Sequence, residues 1–358
     1  MGEKHEDQKV WDDKLRVYKI AQKGPSGPVM KRYSLPFHLP NGARAVSAFG
    51  NVSKSKTPMG MPFLPFDPAI FISTLPSYTY PPYHQGFNFE EYFVHWWYTL
   101  PNPTKRTLIP VSWTLFPPPI NAGKKIQLYL YQLPPTIPYF VVCIGDIFIQ
   151  ERLPPNTQVF CVSSRGASPT CPSIIPIPLV CSPIPTHTHT LHTSKDLLCS
   201  FVGANSHPIR NLIYQTFKHD PDFSMALHPW NINVPPSKFE DFVTRTLRSK
   251  FVLCPRGQGQ TSFRLYEVMQ LGSVPVYVSD THQLPWSDQL DWNEFCVIVH
   301  PHDIPNIKHI LNSITPATYT SMIEKAKLLY PNYFTMDAVC TNIREIVEGR
   351  HRGRETVS

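Results

Sequence analysis

Within fourteen positions, 254 to 267, the stretch CPRGQGQTSFRLYE places two guanidinium groups, Arg256 and Arg264, two glycines, Gly257 and Gly259, and one carboxylate, Glu267. These are the parts of an anion site. Glycines let backbone N–H groups come close to an oxyanion. A guanidinium matches phosphate geometry with two parallel donors. Thr261 or Ser262 is the expected N-cap of a helix FRLYEVMQL, whose first turn favours negative charge. A cation in that turn is unfavourable for the helix alone, so Arg264 points to an anionic ligand. Three anions fit: the pyrophosphate of a dinucleotide, the triphosphate of a kinase substrate, and the diphosphate of an activated sugar.

Glu267, three residues after Arg264, has two readings. It forms an intrahelical pair worth a few tenths of a kcal/mol, or it accepts ribose hydroxyls while Arg264 holds the phosphates. Rival phosphate motifs fit less well. No Gly-Lys-Ser/Thr follows the glycines, which excludes a Walker A loop. The run from Gly257 to Ser262 is one residue short of a dinucleotide fingerprint, although Asp280 lies about twenty residues on.

The elements that must position these groups follow from the apolar pattern. KFVLCP before the motif and GSVPVYVSD after it are buried strands, the second leaving Asp280 at its carboxyl end. DLLCSFVGA (196–204) and FCVIVH (295–300) extend the sheet. HPIRNLIYQTF, PSKFEDFVTRTLRS, DIPNIKHILNSI, TPATYTSMIEKAKLLY and TMDAVCTNIREIVEG are helices, the last stopped by Gly349. This alternation predicts a doubly wound parallel sheet. Upstream, FEEYFVHWWYTL (89–100) is expected as a helix and RTLIPVSWTLF (106–116) as a strand. KKIQLYLYQL fits a helix or a strand. YFVVCIGDIF, TQVFCVSS and SIIPIPLV are expected as strands of a further α/β unit. The expected division is a polar arm over 1–35, a first α/β domain over 36–190, a second α/β domain over 191–348 and a tail over 349–358.

Composition narrows the function classes. The 358 residues are 42% hydrophobic, as in a globular chain, with 40 prolines crowded into the first two thirds. The charge of +7 is modest and scattered, which argues against a nucleic-acid groove. None of the eight cysteines forms a CxxC pair, and several sit in apolar runs, as buried thiols do. His187, His189 and His192 lack an acidic or cysteine partner nearby, so 182–195 is expected to be a linker and not a metal site. The chain shows no signal peptide, and no window is apolar enough to span a membrane. The expected location is cytoplasmic, in soluble form.

The combined pattern Cys254-Pro255-Arg256-Gly257, Ser262-x-Arg264-x-x-Glu267, Gly272, Pro275, Asp280, Leu284-Pro285-Trp286 and Trp292 resembles the exostosin family of glycosyltransferases, family 47. Upstream Phe201, Gly203 and Arg210 resemble that family's F-x-G…R segment. The resemblance covers roughly residues 196 to 348, and is fainter before that. The chain looks most like soluble members such as those encoded by large DNA viruses of algae. The resemblance implies a GT-B architecture, with two Rossmann-like domains facing a central cleft. It implies a UDP-sugar donor, inversion at the anomeric carbon, and a glycan or glycoprotein acceptor. UDP-xylose, UDP-glucuronate and UDP-galactose are among the candidate donors. No cofactor is required, and a divalent metal is not expected to be obligatory. Donor-binding candidates are Arg210, Arg256, Gly257, Gly259, Ser262, Arg264, Glu267 and Asp280.

Inverting transfer needs a base for the acceptor hydroxyl. Asp146, after an apolar strand, and Glu90 and Glu91, beside an aromatic run, are the candidates. Trp96, Trp97 and Trp113 are candidates for an acceptor groove, with core packing as the alternative. Alanine at Arg264 or Glu267 is expected to abolish nucleotide-sugar binding and leave the fold intact. The alternatives are a nucleotide-sugar or carbohydrate-binding protein without catalysis, and a basic nucleic-acid-binding protein.

Overall fold

The computed structural model describes residues 89–350 apart from 99, 101–104, 112, 115–121, 168–172, 182, 185–193 and 232–233. The arm over 1–35, the segment 36–88, the three linker histidines, the 190/191 boundary and the 351–358 part of the tail therefore lie outside the described residues, as does the Glu91 side chain.

Two all-parallel sheets form. In the first, β1 (Thr107–Leu108), β2 (Tyr139–Cys143), β3 (Thr157–Cys161) and β4 (Ile174–Pro176) lie in sequence order. The continuous apolar run of β2 is buried at all five positions, as a strand covered on both faces must be. Among the described residues of the proline-containing run 106–116, Thr107 and Leu108 form β1. Helix α1 (Phe89–Tyr98) and helix α2 (Ala122–Tyr131) accompany this sheet. The run KKIQLYLYQL therefore contributes to a helix and not a strand.

The second sheet has the order β6-β5-β7-β8-β9. Its strands are β5 (Leu197–Ala204), β6 (Phe223–His228), β7 (Ser249–Pro255), β8 (Val274–Val278) and β9 (Val297–Val299). Helix α3 (Pro208–Phe217) links β5 to β6, α4 (Pro236–Arg248) links β6 to β7, and α5 (Arg264–Gln270) links β7 to β8. Helices α6 (Ile307–Ser313), α7 (Pro316–Tyr333) and α8 (Met336–Val347) follow. Proline opens α3, α4 and α7 where its missing N–H costs nothing. Gly272 (φ 70°) and Gly349 (φ 72°) stop α5 and α8 in the left-handed region. β6 was not foreseen, and it matters. It puts β5 between β6 and β7, so the winding direction reverses at the carboxyl ends of β5 and β7. In open α/β sheets ligands bind at that crevice.

The two units join at their carboxyl edges. The turns after β2 and β3 meet the turns after β7 and β8 through hydrogen bonds from Ser164 and Arg165 to Gln260, Gln283 and Gln258. This edge-to-edge pairing of parallel α/β sheets is the expected GT-B arrangement. Helix α8 returns to the first unit, where Tyr92 of α1 donates a hydrogen bond to Asp337. One apolar core runs through both units, from Phe93, Trp97 and Phe140 to Tyr266, Trp292 and Phe334.

Candidate functional site

The segment Arg256–Ser262 leaves β7 at the crevice, and its peptide groups are used asymmetrically. The carbonyls are taken. Arg210 donates from Nε to the Arg256 carbonyl (2.9 Å) and from Nη2 to that of Pro255 (3.1 Å). Arg256 donates from Nε to the Gly259 carbonyl and from Nη2 to that of Gln258, each at 3.2 Å. Arg165 reaches the Gln258 carbonyl from the first unit (3.1 Å), and the Tyr277 hydroxyl donates to that of Gln260 (3.0 Å). Of the N–H groups, those of Arg256 and Gly257 donate to the Val278 (3.0 Å) and Thr261 (3.3 Å) carbonyls. Those of Gln258, Gly259, Gln260, Thr261 and Ser262 have no acceptor among the described residues. Buried N–H groups are nearly always paired. A run of unpaired ones, its carbonyls held by arginines and by the Tyr277 hydroxyl, is a cradle for an anion.

The glycines serve close approach and not unusual torsion, since neither Gly257 nor Gly259 has positive φ. A Cβ on Gly257 would lie 3.3 Å from Arg210 Nη2. One on Gly259 would lie 2.8 Å from Asp146 Oδ1 and 3.3 Å from Asp146 Cα. The bare Gly259 backbone thus allows Asp146, exposed in the turn after β2, to sit against the segment.

The other candidates fall into place around it. Arg256 is buried and donates from Nη1 to Asp280 Oδ1 at 2.5 Å, tying the turn after β7 to the turn after β8. Burial opposes the Asp280 charge, but the hydrogen bond and charge of Arg256 hold its carboxyl below the usual range. Arg210 also donates to the Ala204 carbonyl and lies 3.4 Å from Ser262 Oγ, so it ties β5, β7 and the start of α5 together. Both arginines therefore shape the segment while bringing positive charge beneath it.

Helix α5 differs from expectation. It begins at Arg264, with Phe263 at the cap position and no side-chain cap. Ser262 Oγ lies 3.4 Å from the Arg264 N–H. With only seven residues, the helix contributes less dipole than expected. Arg264 donates from Nε to the Val202 carbonyl (2.9 Å) and lies over the Phe242 ring at 3.6 Å. It also donates from Nη1 to Glu267 Oε2 (2.5 Å), so the intrahelical pair is formed. Glu267 is 2% exposed and Arg264 22%.

Among the proposed bases, Glu90 is 1% exposed. Its Oε1 accepts the Ile144 N–H (2.8 Å), and its Oε2 accepts the Thr114 N–H (3.1 Å) and hydroxyl (2.8 Å). Glu90 therefore fixes the turn that carries Asp146 two residues later. Trp97 packs on Phe140 at 4.8 Å within the core, and Trp96 and Trp113 are partly buried against the two cores of this unit.

Sequence reasoning missed the first unit's share of this junction. Ser164 donates its N–H to Gln260 Oε1 (2.7 Å), and its hydroxyl lies 3.0 Å from Gln260 Oε1 and 3.1 Å from Gln283 Oε1. Ser163 donates to the Asp146 carbonyl (2.9 Å). The available signal was CVSSRG, a small polar turn closing on Gly166 (φ 79°) directly after a buried strand. His207, the N-cap of α3, was missed as well. It accepts the Ile209 N–H on Nδ1. Burial first, then the charge of Arg256, push its pKa down to about 4, with Arg210 and Arg165 adding and Asp280 opposing.

One motif was passed over in the expectation about metals. Asp220-Pro221-Asp222 is an Asp-x-Asp, but it precedes β6 at the amino edge of the sheet, away from the crevice. Both of its carboxylates accept from Lys308 (2.8 Å each). Among the described residues no group of three His, Cys, Asp or Glu side chains could hold a metal ion.

Residues 146–314 match the Exostosin GT47 domain. The match starts at Asp146, well before the segment on which the resemblance was drawn, so the matched region includes the Ser163–Arg165 turn. A probable glycosyltransferase of Arabidopsis thaliana is 34% identical over 133 residues, 37% of this chain and 24% of its own length. A probable glucuronosyltransferase of Oryza sativa subsp. japonica is 35% identical over 105 residues, 29% of this chain and 23% of its own. This chain thus spans about a quarter of the length of these curated relatives. Among solved structures, Anabaena HepE in complex with UDP-glucose is similar with a TM-score of 0.41 at 8% identity, over 64% of this chain and 76% of that one. No helix among the described residues is long and apolar enough to cross a membrane.

Proposed function

We propose that this protein is an inverting glycosyltransferase that uses a UDP-sugar, with the Arg256–Ser262 segment holding the donor diphosphate. The observation that carries this reading is the run of unpaired N–H groups at the switch point, backed by arginines on its carbonyls. Such preorganised donors stabilise the negative charge that grows on a departing diphosphate. Arg210 and Arg256 supply the fixed positive charge, so an obligatory metal ion has no part in the proposal. The exposed Arg264 edge and Glu267 Oε1 are assigned to the ribose.

Asp146 is the base in this scheme. It faces the segment at Gly259 from the other unit, and Glu90 and Ser163 fix its backbone. The acceptor oxygen attacks the anomeric carbon as its proton passes to the Asp146 carboxylate. The bond from that carbon to the diphosphate breaks, and UDP leaves with the electron pair. The match to the exostosin domain supports a sugar nucleotide over the dinucleotide and triphosphate readings, and a glycan hydroxyl as acceptor.

Calorimetry with UDP, followed by a panel of UDP-sugars in a transfer and hydrolysis assay, tests this. UDP is expected to bind. Asp146→Asn should keep that affinity and lose transfer by about 100-fold or more. Absence of UDP binding would overturn the site, and full turnover by Asp146→Asn would overturn the base.

A further inference from the structure

We propose that His207 is a ligand of the same anion, with Nε2 as the donating atom, and that it takes up a proton when the anion binds. This inference rests on the reading of Arg256–Ser262 as a diphosphate cradle. His207 lies at the switch point, where β5 turns into α3. Its neighbour Ser206 lies against Gly257, with Oγ 3.4 Å from where a Cβ would stand. Because Nδ1 accepts the Ile209 N–H (3.4 Å), the hydrogen of the neutral ring sits on Nε2.

The charges that act on the ring come from four places: Arg210 on its own helix, Arg256 after β7, Asp280 after β8 and Arg165 after β3. Three guanidinium groups against one carboxylate make an imidazolium unfavourable in the empty site. An arriving diphosphate reverses that balance. It supplies the negative charge that the arginines lack, and it favours a second donor, His207 with both ring nitrogens protonated. The proton comes from solvent, and no bond other than N–H is formed.

The magnitude follows from linkage. In the empty site the imidazole titrates at about 4. If the anion returns it to the ordinary value of about 6.5, the protonated fraction at about pH 5.5 rises from roughly 3% to roughly 90%. Binding then takes up about 0.9 proton, and affinity rises about tenfold between about pH 7.5 and about pH 5.5.

The test is calorimetry of UDP binding in buffers of different ionisation enthalpy, comparing the unaltered chain with His207→Asn. Asparagine retains a capping oxygen for α3. The β-phosphate of UDP also titrates near pH 6, and it does so in both proteins, so the difference isolates His207. The unaltered chain is expected to take up about 0.9 proton more than the variant at about pH 5.5. His207→Ser, another capping residue, should repeat the result. Equal uptake in all three proteins, with UDP bound, overturns the role of His207 and leaves the cradle standing. Failure of the unaltered chain to bind UDP overturns the cradle and this inference with it.

Discussion

Removing Glu267 should cost stability as well as donor binding, which changes the expectation that an alanine there leaves the fold intact. The carboxylate is 2% exposed, and its Oε2 takes the Arg264 Nη1 hydrogen bond. Breaking a buried ion pair from one side costs about 3–5 kcal/mol, because the other charge is left uncompensated. Arg264 is 22% exposed and keeps the Val202 carbonyl and the Phe242 face, so the cost falls at or just below the lower end of that range, about 2–3 kcal/mol. For a chain of this size that is a fall of about 3–4 °C in Tm. Arg264→Ala leaves Glu267 buried alone and should cost about 3 kcal/mol. The double variant removes both charges and should be more stable than the sum of the single effects by about 2 kcal/mol. Urea denaturation of the four proteins measures this cycle. Additive losses, within about 0.5 kcal/mol, would refute the claim that each charge is held in place by the other. Glu267→Gln keeps an acceptor oxygen for Arg264, so it separates the two roles. It should retain most of the stability and still weaken UDP binding by about tenfold, about 1.4 kcal/mol.

Two further outcomes follow from the junction. Gly259→Ala drives a methyl group against the Asp146 backbone and carboxylate, and should cost about 1–3 kcal/mol. It should lower transfer more than UDP affinity, because Asp146 is what moves; an equal loss in both would contradict the assignment of Asp146 to the acceptor side. The second concerns acid. His207 has a folded pKa near 4, below its unfolded value of about 6.5, so the unfolded chain binds the proton more tightly and stability falls as pH drops through that window. Asp280, whose folded pKa is also lowered, adds stability above its ordinary range and loses it as pH falls further. Urea midpoints should therefore decline from about pH 6.5 to about pH 4, and His207→Asn should flatten that part of the curve. A midpoint independent of pH across the window would refute the placement of His207 among the arginines.

Much of this was legible in the residue pattern. The apolar runs of β2, β7 and β8 are buried on both faces, so their strand character shows without tertiary context. Prolines at N1 and glycines in the left-handed region mark the helix ends in the same local way. By contrast, β6 was missed because FSMALH follows a polar turn and, beyond Phe223, is only partly buried, which leaves neither a clean alternation nor a long apolar run. The N-cap expectation failed because Ser262 and Thr261 were drawn into the segment between β7 and α5, delaying the helix to Arg264.

Residue types along the chain establish the chemical inventory: arginines, glycines and a glutamate clustered after a buried strand, hence a site for an anion. Which atoms face that anion depends on how the two sheets pack. Local spacing cannot say that Arg210 grips the carbonyls of Pro255 and Arg256, or that Arg256 pairs with Asp280, because these groups meet only where β5, β7 and β8 end side by side. Nor can it say that Asp146, Ser164 and Arg165 meet residues about a hundred positions later, because that meeting requires two parallel sheets to present their carboxyl edges to one another. Side-chain types are a local property of the chain, whereas the pairing of donors with acceptors is a property of the packed sheets.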